Sequence, residues 1–325
     1  MHRRFSLLRR LADGAPVSGT VLAAELGISR GAVWQQVENL RRDGVEIRSD
    51  AEGYRLVEPF RPYAETALAA ALEGAAAAAI RTISIDDVTA STNDDLLGEC
   101  DRGGDIHGVL RVAELQTRGR GRRGDLWLAA PGGSVCLSLG WRFDTAPTDL
   151  PAAGLVVGIA AAEGLAGLTG VPIKVKWPND LVVAGRKLGG ILVELKGELA
   201  GPCTVIIGIG LNVRLGPSLR DAVDRPLTDL HAEGASHDRN ALIGAVMNAL
   251  VPALETFARE GFAPFRARWP ELDGLTGRRV RIGPVPERSA AVEGTAAGVS
   301  AGGALTVLTA RGEVPVFAGH VELVE

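Results

Sequence analysis

Apolar positions in SGTVLAAELGISRGAVWQQVENLRRDGVEI, which starts at Ser18, recur at three- and four-residue spacing in two short blocks, predicting two helices separated by Gly27. Glycine at that point suits the left-handed backbone of a tight turn. Ser29 is placed to cap the second helix, whose Val33, Val37 and Leu40 form the inward stripe at i, i+4 and i+7. That register leaves Arg30, Trp34, Gln35 and Asn39 mostly outward. Gly44 ends the helix, and VEIRSDAEGYRLVE follows as two short strands around a turn.

Helix, turn, helix and a two-stranded wing resemble a winged helix-turn-helix, whose second helix lies in the DNA major groove. The resemblance makes Ser29, Arg30, Trp34, Gln35 and Gln36 the DNA-facing set. Arg30, Gln35 and Gln36 can read base edges or hold phosphates. Asp50 and Glu52 at the wing tip oppose this by like charge, and a small helical domain used for protein contact is the alternative.

Two prolines open PFRPYAETALAAALEGAAAAAI at 59–80, which continues as an Ala-rich helix, so a boundary falls near Pro59 to Pro62. Beyond it RTISIDDV, VLRVAEL, SVCLSLGWRF, IKVKW, KLGGILVEL and CTVIIGIGLNV read as strands, with helical periodicity at 94–100, 150–168 and 239–260. Short strands return in RRVRIG, VEGTAAGVS, ALTVLT and EVPVFAG. The expected organisation is an α+β multi-domain chain, with units at 1–60, 61–272 (mixed α/β) and 273–325.

Composition narrows the class. With 325 residues, 46% hydrophobic and 23% charged, the chain is long and apolar enough for two or three packed domains, and that balance argues against disorder. The Ala-rich stretch 68–80 is too short for a bilayer span, and no apolar run has the length and flanks of one. MHRRFSLLRRLADG lacks the long apolar segment of a secretory signal, so a cytoplasmic protein with no membrane partner is expected. Cys100, Cys136 and Cys203 are odd in number and far apart, which leaves neither a disulfide framework nor a CxxC metal site. The net charge of −4 argues against coating nucleic acid along the whole chain. All the lysines, Lys174, Lys176, Lys187 and Lys196, lie in one short window among far more numerous arginines. Ammonium and guanidinium are not interchangeable in a site, which singles those lysines out.

No GxxxxGK[ST], HExxH or GxSxG occurs, so nucleotide chemistry needs another device. Gln116-Thr-Arg-Gly-Arg-Gly-Arg-Arg-Gly124 alternates Gly119, Gly121 and Gly124 with Arg120, Arg122 and Arg123. Glycines let backbone N–H groups approach an anion, and guanidiniums pair with its oxygens. An RNA-contacting or merely solvated basic loop is the alternative. Lys176-Trp-Pro-Asn-Asp180 precedes Gly185-Arg-Lys-Leu-Gly-Gly190, and a hairpin turn at Ala184-Gly185 would put Asp180 and Lys187 at neighbouring strand ends. There they could organise a metal-nucleotide and a developing negative charge, or form only a surface salt bridge. Ser91-Thr92-Asn93 is equally consistent with a helix cap, and the glycines of Gly208-Ile-Gly-Leu-Asn-Val213 with close backbone approach.

In this order the four elements resemble the catalytic domain of biotin–protein ligases, and with the winged module the bifunctional biotin–protein ligase and biotin operon repressor family. The resemblance implies a central ligase domain and a C-terminal small SH3-like β-barrel. It also implies formation of biotinyl-5′-AMP from biotin and ATP with Mg2+, then transfer to a lysine of a biotin carboxyl carrier protein domain. Operator DNA and a homodimer are the further partners implied. Ser91, Thr92, Asn93, Gln116, Arg120, Gly121, Arg122 and Lys187 become the biotin contacts. Gly119, Arg120, Arg122, Arg123, Trp127, Asp180 and Asn212 become the nucleotide contacts, with Trp127 covering the adenine and Asn212 bonded to it. Lys187 and Asp180 are the implied catalytic pair, Asp180 with an indirect Mg2+ contact. Two departures stand out: Arg118 precedes the glycine loop where a small residue is frequent, and the tail VELVE lacks a terminal basic residue. A lipoate or octanoyl ligase, or a non-catalytic biotin sensor, are the rival readings.

Overall fold

The computed structural model describes residues 3–197, 201–283 and 291–324. Its first unit contains α1 (Arg3–Arg10), α2 (Gly19–Leu26), α3 (Arg30–Arg42) and the hairpin β1 (Ile47–Asp50) and β2 (Gly53–Leu56). Gly27 takes φ 62°, and the Ser29 side chain accepts from the Ala32 amide at 3.1 Å. Val33, Val37 and Leu40 are buried as the spacing predicts, together with Phe5, Leu7 and Leu8 of α1. Helix α1 went unread because its arginines mask a short apolar stripe.

The Ala-rich segment is not one helix. It divides into α4 (Glu65–Ala71) and α5 (Gly74–Ala79), because Leu72 and Glu73 adopt extended backbone between them. The central unit continues with β3 (Thr82–Thr89), α6 (Thr92–Asp101), β4 (Val109–Gln116), the two-residue strands β5 (Gly119–Arg120) and β6 (Leu126–Trp127), and β7 (Ser134–Phe143). Then come α7 (Ala153–Thr169), β8 (Lys174–Lys176), β9 (Asp180–Val183), β10 (Arg186–Gly197), β11 (Cys203–Asn212), α8 (Pro217–Asp221), α9 (Arg239–Glu260) and α10 (Ala263–Leu272).

Seven strands form one sheet in the order β3-β4-β7-β11-β10-β9-β8, antiparallel except for β3 with β4. Helices α7 and α9 cover one face and are both heavily buried. The segments Leu150–Thr169 and Arg239–Glu260 do have the length and hydropathy of membrane spans, contrary to the sequence expectation, yet 61% and 56% of their windows are buried inside the protein. They are core helices over a sheet. The last unit is a five-stranded antiparallel sheet of β12 (Arg279–Ile282), β13 (Val292–Val299), β14 (Leu305–Thr309), β15 (Gly312–Val316) and β16 (Val321–Leu323), ordered β15-β14-β13-β12-β16.

The winged unit is seated on the central one. Leu115 of β4 joins the winged unit's apolar cluster, Arg9 of α1 meets Asp87 of β3 at 2.5 Å, and Arg214 pairs with Glu58. Beneath the connection, Arg239 lies 2.8 Å from the Glu114 carboxylate and stacks at 4.0 Å on the Tyr63 ring. Burial pushes the Tyr63 hydroxyl well above its ordinary range.

Candidate active site

Glycines create the cleft on the sheet face opposite α7 and α9. Gly190 and Gly210 are direct partners across β10 and β11, and Gly208 sits two residues back on the same face of β11. With no side chains there, the sheet carries a trough open to solvent; Leu192, directly opposite Gly208, shares that face, while Leu137, Ile191 and Ile209 border it on strands whose alternation sends their side chains to the helix-covered core. A Cβ on Gly208 would lie 2.3 Å from Asn93 Oδ1. These glycines are steric requirements of the site.

One wall is polar and pre-bonded. Ser91 caps α6, and its neighbour Thr92 donates its amide to Gln116 Oε1 at 2.8 Å. The Thr92 hydroxyl also reaches Gln116 Oε1 at 3.1 Å and Ser138 Oγ at 2.7 Å. Ser138 donates to Asn93 Oδ1 at 2.5 Å, while Asn93 Nδ2 donates to Glu194 at 2.8 Å. Asn93 is thereby committed to the wall on both ends of its amide, holding the wall rather than offering itself to a ligand. Ser138 and Glu194 were missed in the sequence, since a lone serine in SVCLSLGW and an acid in ILVEL carry no local mark of a site.

The reactive end holds Lys187 and Asp180. Ala184 and Gly185 both take positive φ, 49° and 77°, closing the tight β9–β10 turn, and a register shift between Lys187 and Gly189 re-aims β10. Lys187 Nζ lies 2.7 Å from Asp180 Oδ1, with both side chains about one-fifth exposed. Lys176 lines the same end. Burial lowers its ammonium below the usual lysine range, and Lys187 and Arg225 push the same way.

The glycine–arginine segment is a folded flap. Gly119 pairs with Trp127, Arg120 with Leu126, and a 3-10 turn over Arg122–Gly124 closes it. Gly121, Arg122 and Arg123 line the cleft. Burial, then Arg123, lowers the Arg122 guanidinium below its usual range. Arg120 lines it as well and is tied to the wall, at 2.7 Å from both Asp94 and Glu194.

Three of the residues expected at the nucleotide have partners within the chain. Trp127 packs its ring on Gly210, where a Cβ would come within 2.3 Å of the indole. Gly119 is the strand partner of Trp127, and a Cβ there would lie 2.6 Å from the Trp127 carbonyl oxygen. Asn212 is buried, and its side-chain Nδ2 donates to the Thr228 carbonyl at 3.0 Å and the Lys187 carbonyl at 3.5 Å, so this nitrogen ties two chain segments together.

On the winged unit, Arg30, Gln35 and Trp34 are exposed on α3, Trp34 at 54%, and Gln36 is half-buried. Ser29 is occupied as the cap. At the wing, Arg55 sits 3.4 Å from Asp50, which partly neutralises the acid that opposed DNA contact.

Residues 87–212 match the model of the biotin/lipoate A/B protein ligase family, and residues 3–55 match a helix-turn-helix domain model. The bifunctional ligase/repressor BirA of Escherichia coli (strain K12) is 36% identical over 278 residues, 85% of this chain and 84% of that protein. The protein of the same name from Bacillus subtilis (strain 168) is 29% identical over 94% of each chain. Among solved structures, a biotin protein ligase from Aquifex aeolicus in complex with biotin and ATP superposes with a TM-score of 0.63 at 26% identity, covering 75% of this chain and 98% of that one.

Proposed function

The chain belongs to the biotin protein ligase family, with bifunctional ligase/repressors as relatives over most of its length, and on that premise we propose how its residues divide the work. The reaction joins biotin to AMP using ATP, releases pyrophosphate, and passes the biotinyl group to a carrier lysine. The observation that carries the assignment of roles is one cleft holding both the pre-bonded Ser91–Thr92–Gln116–Ser138 wall and the Lys187–Asp180 pair. Ser91, Thr92 and Gln116 bind the ureido group, and the glycine trough beside Leu192 takes the fused rings and valeryl chain. A site built to hydrogen-bond the ureido group leaves buried polar atoms unpaired when lipoate enters, which disfavours that substrate.

A biotin carboxylate oxygen attacks the α-phosphorus, the bond to the β-phosphate bridging oxygen breaks, and pyrophosphate leaves. Lys187 neutralises the charge shared by the carboxylate and α-phosphate. In the second half the carrier amine attacks the acyl carbon and AMP departs, with Asp180 accepting the amine proton. For Mg2+ the donor set is thin: among the described residues no group of three His, Cys, Asp or Glu could hold a metal. Asp180 beside substrate phosphates fits an ion that keeps most of its waters and arrives with ATP, where it would screen phosphate charge. The last unit's sheet is assigned as an SH3-like barrel bordering the cleft through Gly319, His320 and Val321. Incubation with ATP, magnesium and biotin should give biotinyl-5′-AMP by mass spectrometry, and excess lipoate should not suppress it. A lipoyl adenylate formed in preference would overturn the substrate assignment.

Arg122→Gly should leave adenylate formation in place and let the product escape, because the substitution removes a guanidinium and frees the flap backbone. Labelling of bystander lysines, read by streptavidin blot, should rise several-fold; an active variant that labels them no more than the unaltered protein would refute the flap's role.

The winged unit binds operator DNA as part of a homodimer, more tightly with biotinyl-5′-AMP in the cleft. A single module offers α3 and a small wing, so two copies on a two-fold site supply the surface that specific binding needs. Binding to DNA upstream of biotin-synthesis genes should strengthen with biotin plus ATP and fall in an Arg30→Ala, Gln35→Ala variant. Equal, weak and strongly salt-sensitive binding in every case would leave only phosphate attraction.

A further inference from the structure

We propose that Arg225 binds the β- and γ-phosphates of ATP and retains the pyrophosphate product, completing an anion subsite with Lys176 and Arg122. The inference rests on the ligase reading above and adds a residue outside every motif in the sequence. Arg225 lines the cleft from the connection between α8 and α9. Its position is fixed by the chain: the Lys187 amide donates to the Pro226 carbonyl, and the Thr228 amide donates to the Lys187 carbonyl, both at 2.9 Å. Leu227 bridges to Lys187 in parallel fashion, so Arg225 is held two residues from the backbone partner of the catalytic lysine.

Charge at this end is unbalanced. Lys187 is paired with Asp180, and Arg120 is taken up by Asp94 and Glu194. Arg225 meets only a loose ion pair, 4.0 Å from Asp125, and its side chain is 42% exposed. Lys176 and Arg122 line the same cleft with no ion pair within 4.0 Å among the described residues. Lys176 carries a lowered affinity for its proton, chiefly through burial; Asp180 opposes that shift, and Lys187 and Arg225 add to it. Cations gathered at a half-buried site against their own repulsion are what a polyanion compensates, and the phosphate tail of ATP is the polyanion that the ligase reaction brings to this cleft.

The test is equilibrium binding of inorganic pyrophosphate and of biotin, measured separately by calorimetry on the full chain. Arg225→Ala should weaken pyrophosphate roughly tenfold or more, as expected for one charge-assisted contact, Arg225→Lys should recover part of it, and biotin affinity should not move. Asp125→Asn, which frees the guanidinium, should hold or improve pyrophosphate binding. Unchanged pyrophosphate affinity in Arg225→Ala overturns the proposal. Parallel weakening of biotin overturns it as well, since that would mean the connection only props Lys187. Biotin-dependent ATP–pyrophosphate exchange by the unaltered protein tests the ligase reading independently, because the binding comparison needs no turnover.

Discussion

Lys187→Ala is expected to slow biotinyl-5′-AMP formation by about 100- to 1,000-fold, the usual cost of removing one preorganised donor from a developing anion. Lys187→Arg should fail to rescue it. The ammonium occupies a narrow place, 2.7 Å from Asp180 Oδ1 and 6.0 Å from the centre of the Trp127 ring, and a planar guanidinium cannot direct its charge into the same volume. Lys187 holds its neighbours through backbone atoms, accepting from Thr228 and donating to Pro226, so the side-chain change leaves those bonds in place. Unfolding midpoints of both variants should therefore stay near that of the unaltered protein while single-turnover adenylation collapses. Near-normal adenylation by Lys187→Arg would reduce the pair to a surface salt bridge.

Glu114→Ala is expected to destabilise the protein by about 3–5 kcal/mol, the cost of stripping the partner from a buried charge. Arg239 is 5% exposed and Glu114 has no exposed side-chain surface. The guanidinium also donates to the carbonyls of Ser134 at 3.2 Å and Arg61 at 2.8 Å, and Glu114 accepts the Tyr63 amide at 3.0 Å. One ion pair thus pins the segment leading out of the winged unit to β4 and β7, the strands that carry Gln116 and Ser138. Urea unfolding of the central unit should shift to lower midpoint in Glu114→Ala, and Glu114→Leu combined with Arg239→Met should recover most of the loss, because no charge is then buried alone. A single variant within about 0.5 kcal/mol of the unaltered protein would mean water reaches Arg239 and the pair is not a clamp.

Much of this molecule is written locally. The left-handed turn at Gly27, the Ser29 cap and the Val33, Val37, Leu40 stripe follow from backbone sterics and helical periodicity, and each depends on a few adjacent residues. The same holds for the Ala184-Gly185 turn, which brings Asp180 and Lys187 together because tight hairpins leave their flanking residues as neighbours. The family's motifs were legible for a related reason: they are short runs whose chemistry is carried by contiguous side chains.

What the tertiary structure alone decided are the contacts made across the sheet. Ser138 becomes the hub of the polar wall only because β7 lies beside the start of α6, and Glu194 captures Arg120 and Asn93 only because β10 passes beneath the flap. Arg225 enters the cleft through a backbone bridge to Lys187 that no periodicity announces. Asn212 and Trp127 carry residue types suited to a nucleotide, yet burial against Thr228 and packing on Gly210 set what they do in this conformation. The physical reason is common to all of them. Hydrogen bonds and close packing act over a few ångströms in space, and a local sequence pattern does not say which distant strand will supply the partner.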